Sequence, residues 1–167
     1  MIAVCIKWIG DPIPTGISAA DEAAIEIALQ HGAAIGSAVV AVTVGERSAD
    51  RGLRLALACG ARTAIRVDAP RELDSAAVAA ALAPVVAHSE AIWCGDYSVD
   101  RGTGSVPVFL AATLQRQQAL GLVAVELGNS LCVTRRLDGG RREVLRITAP
   151  AVLSVEGSLA RLRRAGL

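Results

Sequence analysis

One run of the chain, Gly95-Asp96-Tyr97-Ser98-Val99-Asp100-Arg101-Gly102-Thr103-Gly104-Ser105-Val106, carries groups of the kinds that could hold a phosphate. Thr103 and Ser105 offer hydroxyl donors, and Arg101 offers a charged one. Gly102 and Gly104 would let the backbone approach phosphate oxygens with no Cβ in the way. The run leads from a predicted strand at 91–94 into a predicted helix at 105–115. A helix start presents unpaired N–H groups and a partial positive charge, which suit an anion. The same composition fits a plain strand-to-helix connection in which Ser105 only caps the helix.

Two further places could touch such a ligand. At Cys5-Ile6-Lys7-Trp8 the backbone amides of a strand end could bond an adenine edge, although a plain strand end accounts for the segment equally well. Val44-Gly45 is a tight turn with room for a ribose, a feature common in α/β proteins. His31 and His88 sit near predicted helix ends and have no catalytic neighbours in sequence. There is no Walker A lysine, GxSxG, HExxH or GxGxxG motif, and nothing pairs a nucleophile with a base. No catalytic residue is assigned.

The elements that must position these residues alternate along the chain. Predicted strands at 2–6, 37–44, 63–67, 91–94 and 121–127 are separated by predicted helices at 19–31, 48–59, 74–89 and 105–115. That alternation is the mark of a parallel sheet covered by helices. Residues 10–17 read as a Gly/Pro loop, Ser18 as the cap of the first helix, and Gly32 as its stop. Ser48 or Asp50 is expected to cap the second helix, and Pro107 fits the first turn of the fourth. Segments 131–137 and 143–147, joined by Asp138-Gly139-Gly140, read as a hairpin, and a strand at 151–155 closes the sheet.

Bulk composition narrows the function classes. The 167 residues suit one α/β domain over 1–167. A net charge of +1 and only 2% aromatics argue against a nucleic-acid binder. The longest apolar stretch, 76–87, is broken by Pro84 and is too short to span a membrane. Met1 opens into a short apolar run ended by Lys7, so no secretory signal is read. The four cysteines form no CxxC pair, and three of them, Cys5, Cys94 and Cys132, fall in apolar strand-like stretches, which suits a reducing cytoplasm.

Several segments, in order, resemble electron-transfer flavoprotein β subunits. Ala3-Val4-Cys5-Ile6-Lys7 resembles their opening VAVK strand, and Asp21-Glu22-Ala23-Ala24-Ile25-Glu26 the acidic start of their first helix. The segment from Leu55 through Ala64 is similar to TALAMGADRA, and Val99-Asp100 through Val106 lies where the family has IDDDSGQVG. Arg135 through Gly140 matches REVDGG, and Pro150 through Val155 matches PAVVTV. The resemblance implies a three-layer Rossmann-like parallel sheet of the adenine-nucleotide α-hydrolase/universal-stress type with a C-terminal β-hairpin. It implies an AMP, or a second FAD, in this subunit and an α-subunit partner that carries the redox-active FAD. Electrons would come from a flavin dehydrogenase and pass to a redox-chain acceptor.

Carried over residue by residue, the nucleotide site comprises Cys5, Ser18, Asp21, Val44, Gly95, Asp100, Arg101, Gly102, Thr103, Gly104, Ser105 and Val106. The adenine is expected near Cys5 and Val44 and the phosphate at 103–106. Three departures stand out. The acidic triplet is reduced to Asp100, followed by Arg101 and Gly102, and Ser18-Ala19-Ala20 replaces NPF. The LNEPRY docking loop and the long arm that wraps the α subunit do not follow, which points to a shortened chain, a divergent branch (the mycofactocin-associated flavoproteins being one candidate) or a β-like protein paired differently. The rival reading is a stand-alone universal-stress-like nucleotide binder, against which the 131–147 hairpin speaks. A related adenylating or pyrophosphatase enzyme is disfavoured by the lack of an SGGxDS-type loop after the first strand.

Overall fold

The computed structural model describes residues 1–10, 16–70, 72–128 and 130–165; within the expected 10–17 loop, residues 11–15 lie outside them. The elements are β1 (Ile2–Cys5), α1 (Ala19–Ile35), β2 (Val39–Gly45), α2 (Asp50–Cys59), β3 (Thr63–Asp68) and α3 (Ser75–Val86). They continue with β4 (Ala91–Gly95), α4 (Val106–Leu114), β5 (Gln117–Glu126), β6 (Leu131–Arg136), β7 (Arg142–Ile147) and β8 (Ala151–Val155). The strands pair in the order β3-β2-β1-β4-β8-β5-β6-β7. Pairing is parallel from β3 through to β5 and antiparallel at β5–β6 and β6–β7.

Each face of the sheet has its own helical cover, because successive strand residues point to opposite sides. Ile2, Val4 and Ile6 share a core with α1 and α2. Ala3 and Cys5 share the other with α3 and α4. Burial on both faces is why β1, β4 and β8 read as near-continuous apolar runs rather than alternating ones. The strand at 151–155 closes nothing at an edge: β8 is buried throughout and lies between β4 and β5.

Small residues let α1 sit close to the sheet. Ala23, Ala24 and Ala28 are fully buried. The expected stop at Gly32 is wrong for a packing reason: a Cβ there would lie 2.6 Å from the Ser37 carbonyl oxygen, so this glycine is an interior contact of the helix. The helix stops at Gly36, which takes φ 66°, and the Ser37 amide bonds back to the Gly32 carbonyl. Ser18 does cap α1, its Oγ accepting from the Asp21 amide at 3.0 Å. Neither Ser48 nor Asp50 caps α2, which is entered instead from a 3₁₀ turn, Arg47–Ala49. Asp74 caps α3 through the Ala77 amide, and that helix ends at Val86, short of the expected Ser89.

The larger surprise is β5. It begins at Gln117, and Gly121 is its bend rather than its start, with φ 65° and a register shift against β8 between Ala119 and Leu122. Residues 148–150 can span at most about 14 Å between the last residue of β7 and the first of β8. The end of β7 therefore lies beside the start of β8, and the β6–β7 hairpin folds back over the sheet. Val125, Leu131, Leu145 and Ile147 accordingly pack on the α1–α2 side.

A tail follows across the same side, with Leu159, Ala160 and Leu162 against that core. It is fixed by Glu26, a buried α1 carboxylate that accepts from Arg163 through the backbone amide at 3.1 Å, Nε at 2.9 Å and Nη2 at 2.8 Å. The Arg163 hydrogen bond holds the Glu26 carboxyl at about 2, against the opposing pull of burial. A carboxyl lowered in the folded state stabilises it above the unfolded value and loses that contribution as pH falls. We expect Glu26→Gln to cost about 1–3 kcal/mol at pH 7. In urea unfolding across pH 2–5, the gap between variant and parent should close as pH falls toward about 2. A gap that stays constant with pH would refute the assignment.

Candidate nucleotide site

From β1 the chain goes to β2 and β3 on one side, whereas β4 lies on the other. In open parallel sheets such a reversal leaves a crevice beyond the carboxyl ends of the strands. Here it is a cleft of about 520 Å³. Its walls come from the ends of β1, β2 and β4, the segments after β3 and β4, and the start of α4.

The floor is set by Asp21. Its Oδ2 accepts from the Lys7 amide at 3.2 Å, and Gly95 packs directly against the same carboxyl. Gly95 has to be glycine, since a Cβ would lie 2.7 Å from Asp21 Oδ1 and 3.0 Å from the Ala20 backbone. One carboxylate thus joins the ends of the two diverging strands. Burial pushes Asp21 up to about 6, although the Lys7 amide, Ser18 and the Gly95 amide all favour its charged form. On the other side of β1, the Thr43 hydroxyl donates to the Ile6 carbonyl at 2.8 Å.

The loop after β4 closes on itself before it meets α4. Ser98 and Thr103 form a bridge, with the Ser98 amide donating to the Thr103 carbonyl at 2.7 Å and the Gly102 amide to the Ser98 carbonyl at 2.8 Å. Gly102 takes φ 65° in that turn and does not line the cleft. Gly104 does line it, but its missing Cβ is explained by the protein itself: the atom would fall 1.6 Å from the Asp96 carbonyl oxygen. Neither glycine needs a ligand to account for it. Ser105 is not a side-chain cap; its Oγ donates to Ser75 Oγ at 2.9 Å, tying the start of α4 to that of α3.

Across the mouth, Lys7 Nζ donates to Asp100 Oδ1 at 2.7 Å and to Ser98 Oγ at 3.0 Å. Ser98 Oγ donates to the same carboxylate at 2.6 Å. Burial opposes ionisation of Asp100, but Lys7 and Ser98 outweigh it and hold the carboxyl below its ordinary range. Arg101 reaches outward and donates to the Leu73 carbonyl at 2.8 Å.

Of the expected residues, Cys5, Ser18, Asp21, Val44, Gly95, Asp100, Arg101, Thr103, Gly104, Ser105 and Val106 all line this cleft, and Gly102 alone stands behind it. Lys7 and Ser98 fall within the candidate segments 5–8 and 95–106 but were given no side-chain role, and Ser75 was absent from the expected set. So were Pro70, Glu72 and Leu73 after β3, another parallel strand whose carboxyl end faces the same crevice. That topological rule was the available signal for them. His31 lies away from the cleft, its Nδ1 accepting from Trp93 Nε1 at 3.2 Å. Among the described residues no cluster of three or more metal-ligating side chains occurs, and no helix is long and apolar enough to cross a membrane.

An α/β sheet of this order, open at its reversal point and entered there by a loop and a helix start, defines a Rossmann-like α/β fold. Residues 12–165 match the family model described as the electron transfer flavoprotein domain. Among curated relatives, the electron transfer flavoprotein subunit beta of Syntrophomonas wolfei is 32% identical over 142 residues, 83% of this chain and 56% of that protein. The subunit beta of Dictyostelium discoideum is 30% identical, over 88% of this chain and 60% of its own length. Protein FixA of Rhizobium meliloti is 27% identical, over 99% and 66% respectively. The chain belongs to the electron transfer flavoprotein β-subunit family. It spans little more than half the length of the first two of these relatives.

Two outcomes test this geometry. An acid raised in the folded state binds more protons than the unfolded chain between the two values, so this group opposes folding as pH rises from about 4 to about 6. We expect Asp21→Asn to remove that loss, on the order of 3 kcal/mol, in thermal unfolding from pH 4 to 7. Parallel curves for variant and parent would contradict the buried pin. Gly104→Ala should destabilise the fold by several kcal/mol, on the order of 3 or more, because backbone must move. An unchanged melting temperature would refute the contact with Asp96.

Proposed function

We propose that this β-family chain holds an adenine mononucleotide in the cleft and pairs with an FAD-carrying α subunit. The pair would relay electrons from a flavin dehydrogenase to a redox-chain acceptor. The observation that carries the reading is one cleft at the β1/β4 reversal whose wall includes the start of α4. The first amides of an α-helix have no partner within it, and they sit where a ligand phosphate can use them. Thr103 and Ser105 add hydroxyls at that wall, while Cys5 and Val44 lie on the strand ends where the base would rest.

Charge favours AMP over FAD in this subunit. The lining carries Lys7 and Arg101 against Asp21, Glu46, Glu72 and Asp100, so a second phosphate would meet more acid than base. The FAD of the complex is assigned to the partner, where it supplies the one-electron chemistry. This chain's residues bind and position; none is given a bond-making role. We assign the fold more finely to the adenine-nucleotide α-hydrolase/universal-stress type, on the strand order and the place of the cleft. The β6–β7 hairpin and the β-subunit relatives favour the electron-transfer reading over a stand-alone universal-stress-like protein. The free cysteines fit a reducing compartment such as the cytoplasm.

Mass spectrometry of the small molecules released on denaturation should find AMP. Thr103→Val, which keeps the side-chain shape and removes the hydroxyl, should weaken AMP binding about 5- to 10-fold in isothermal titration, the worth of one hydrogen bond. Absence of AMP from the purified protein together with no measurable binding would end this reading. Co-purification with a larger yellow subunit tests the pairing.

A further inference from the structure

Cys5 and Cys94 are register partners on the parallel strands β1 and β4. Both belong to the apolar layer shared with α3 and α4, so their side chains leave the same face of the sheet. Both line the cleft, and both are free thiols only 7% and 4% exposed. Paired strands lie about 4.8 Å apart, within the roughly 4.4–6.8 Å between Cα atoms that a disulfide spans. The other two cysteines lack this arrangement: Cys59 is in α2 beside the Arg163 carbonyl, and Cys132 is in β6 beside Ser130.

The two sulfurs are not equivalent. A hydrogen bond to Cys5 pushes the Cys94 thiol well above its ordinary range, with burial and the charges of Cys5 and Asp21 acting the same way. Cys94 therefore holds its proton firmly. That makes Cys5 the sulfur placed to attack and Cys94 the one placed to resolve.

We propose that Cys5 and Cys94 form a reversible dithiol–disulfide couple on the floor of the cleft. The oxidant is a small disulfide such as oxidised glutathione. The Cys5 sulfur attacks it, forms a mixed disulfide and expels one glutathione thiolate, which takes up a proton. Cys94 then gives up its proton, and its sulfur attacks Cys5 and expels the second thiol. Two cysteine thiols are oxidised, one small disulfide is reduced to two thiols, and both protons end on glutathione.

Closing the bond draws the two Cβ atoms to about 3.8 Å, tighter than the strands' own spacing. The ends of β1 and β4 must then converge where the cleft opens. A bond formed under such strain is readily reduced. Resting on the nucleotide reading, a ligand on this floor and the disulfide beneath it exclude one another.

The full chain is incubated with oxidised glutathione and mapped by peptide mass spectrometry without reductant. Expected are a Cys5–Cys94 cross-linked peptide pair 2 Da lighter than the free thiols, reversed by dithiothreitol. Cys94→Ser should accumulate a glutathione adduct on Cys5, whereas Cys5→Ser should leave Cys94 unmodified. Glutathione on the partly exposed Cys132 with Cys5 and Cys94 both still free would overturn the couple. Saturating AMP should slow cross-linking at least tenfold, and the oxidised protein should bind AMP at least tenfold more weakly. Equal AMP affinity in the two states would sever the couple from the nucleotide. Cross-linking in a protein that binds no AMP in either state would support the couple and refute the nucleotide site.

Discussion

A buried carboxylate between two strand ends is the constraint on which the rest of this molecule depends. β1 and β4 are neighbours whose chains depart in opposite directions, and nothing in sheet pairing alone fixes how their ends sit beyond the last ladder bond. Asp21 does so by accepting from the Lys7 amide while its carboxyl packs against Gly95. It reaches them because it stands in the first turn of α1, held by the Ser18 cap, and because Gly95 has no side chain to obstruct it. Local capping, close packing and the floor of the cleft are therefore one arrangement. Removing any part leaves a buried charge short of donors, which costs far more than a surface contact.

The same economy of side-chain volume runs through the α1 side. Gly32 meets Ser37 and Val39, Gly52 meets Ile17 and Ile6, and Gly157 meets Ala19, each at a distance a Cβ would crowd. Alanines fill the rest of the α1 contact. Close approach costs hydrophobic area per residue, and the protein recovers it by covering that face a second time with the folded-back hairpin and the tail. Arg163 anchors that cover to Glu26, across 137 residues of sequence.

This explains which features could be read from the sequence. β8 was legible to the residue, since four apolar positions broken only by Ser154 and flanked by Pro150 and Glu156 admit little else. The loop from Gly95 to Val106 was legible as a strand-to-helix crossing because glycines and hydroxyls concentrate there. Gly32 and Gly121 were misread because a glycine signals only that a side chain is missing. Whether that serves a helix stop, a close contact or a bend is decided by distant chain. The link from Lys7 to Asp100 spans 93 positions and leaves no local trace. The residues after β3 were missed for a different reason: ligand contacts were expected at the ends of β1, β2 and β4, and the end of β3, which shares the same edge, was left out.

The floor and the rim of the cleft then differ in kind. Lys7 is 40% exposed at its side chain, and its pair with Asp100 is screened by water, so the contact is worth no more than about 1 kcal/mol. A phosphate arriving at the start of α4 can draw the ammonium away at little cost. Asp100 remains hydrogen-bonded to Ser98 when it does. Asp21 has no such freedom, being buried and holding two strands at once. In the proposed nucleotide reading, a buried floor with an exchangeable ionic rim would fix where the base lies and leave the phosphate end adjustable. Departures from the family pattern at Asp100-Arg101-Gly102 therefore fall at the adjustable end, where the fold tolerates them.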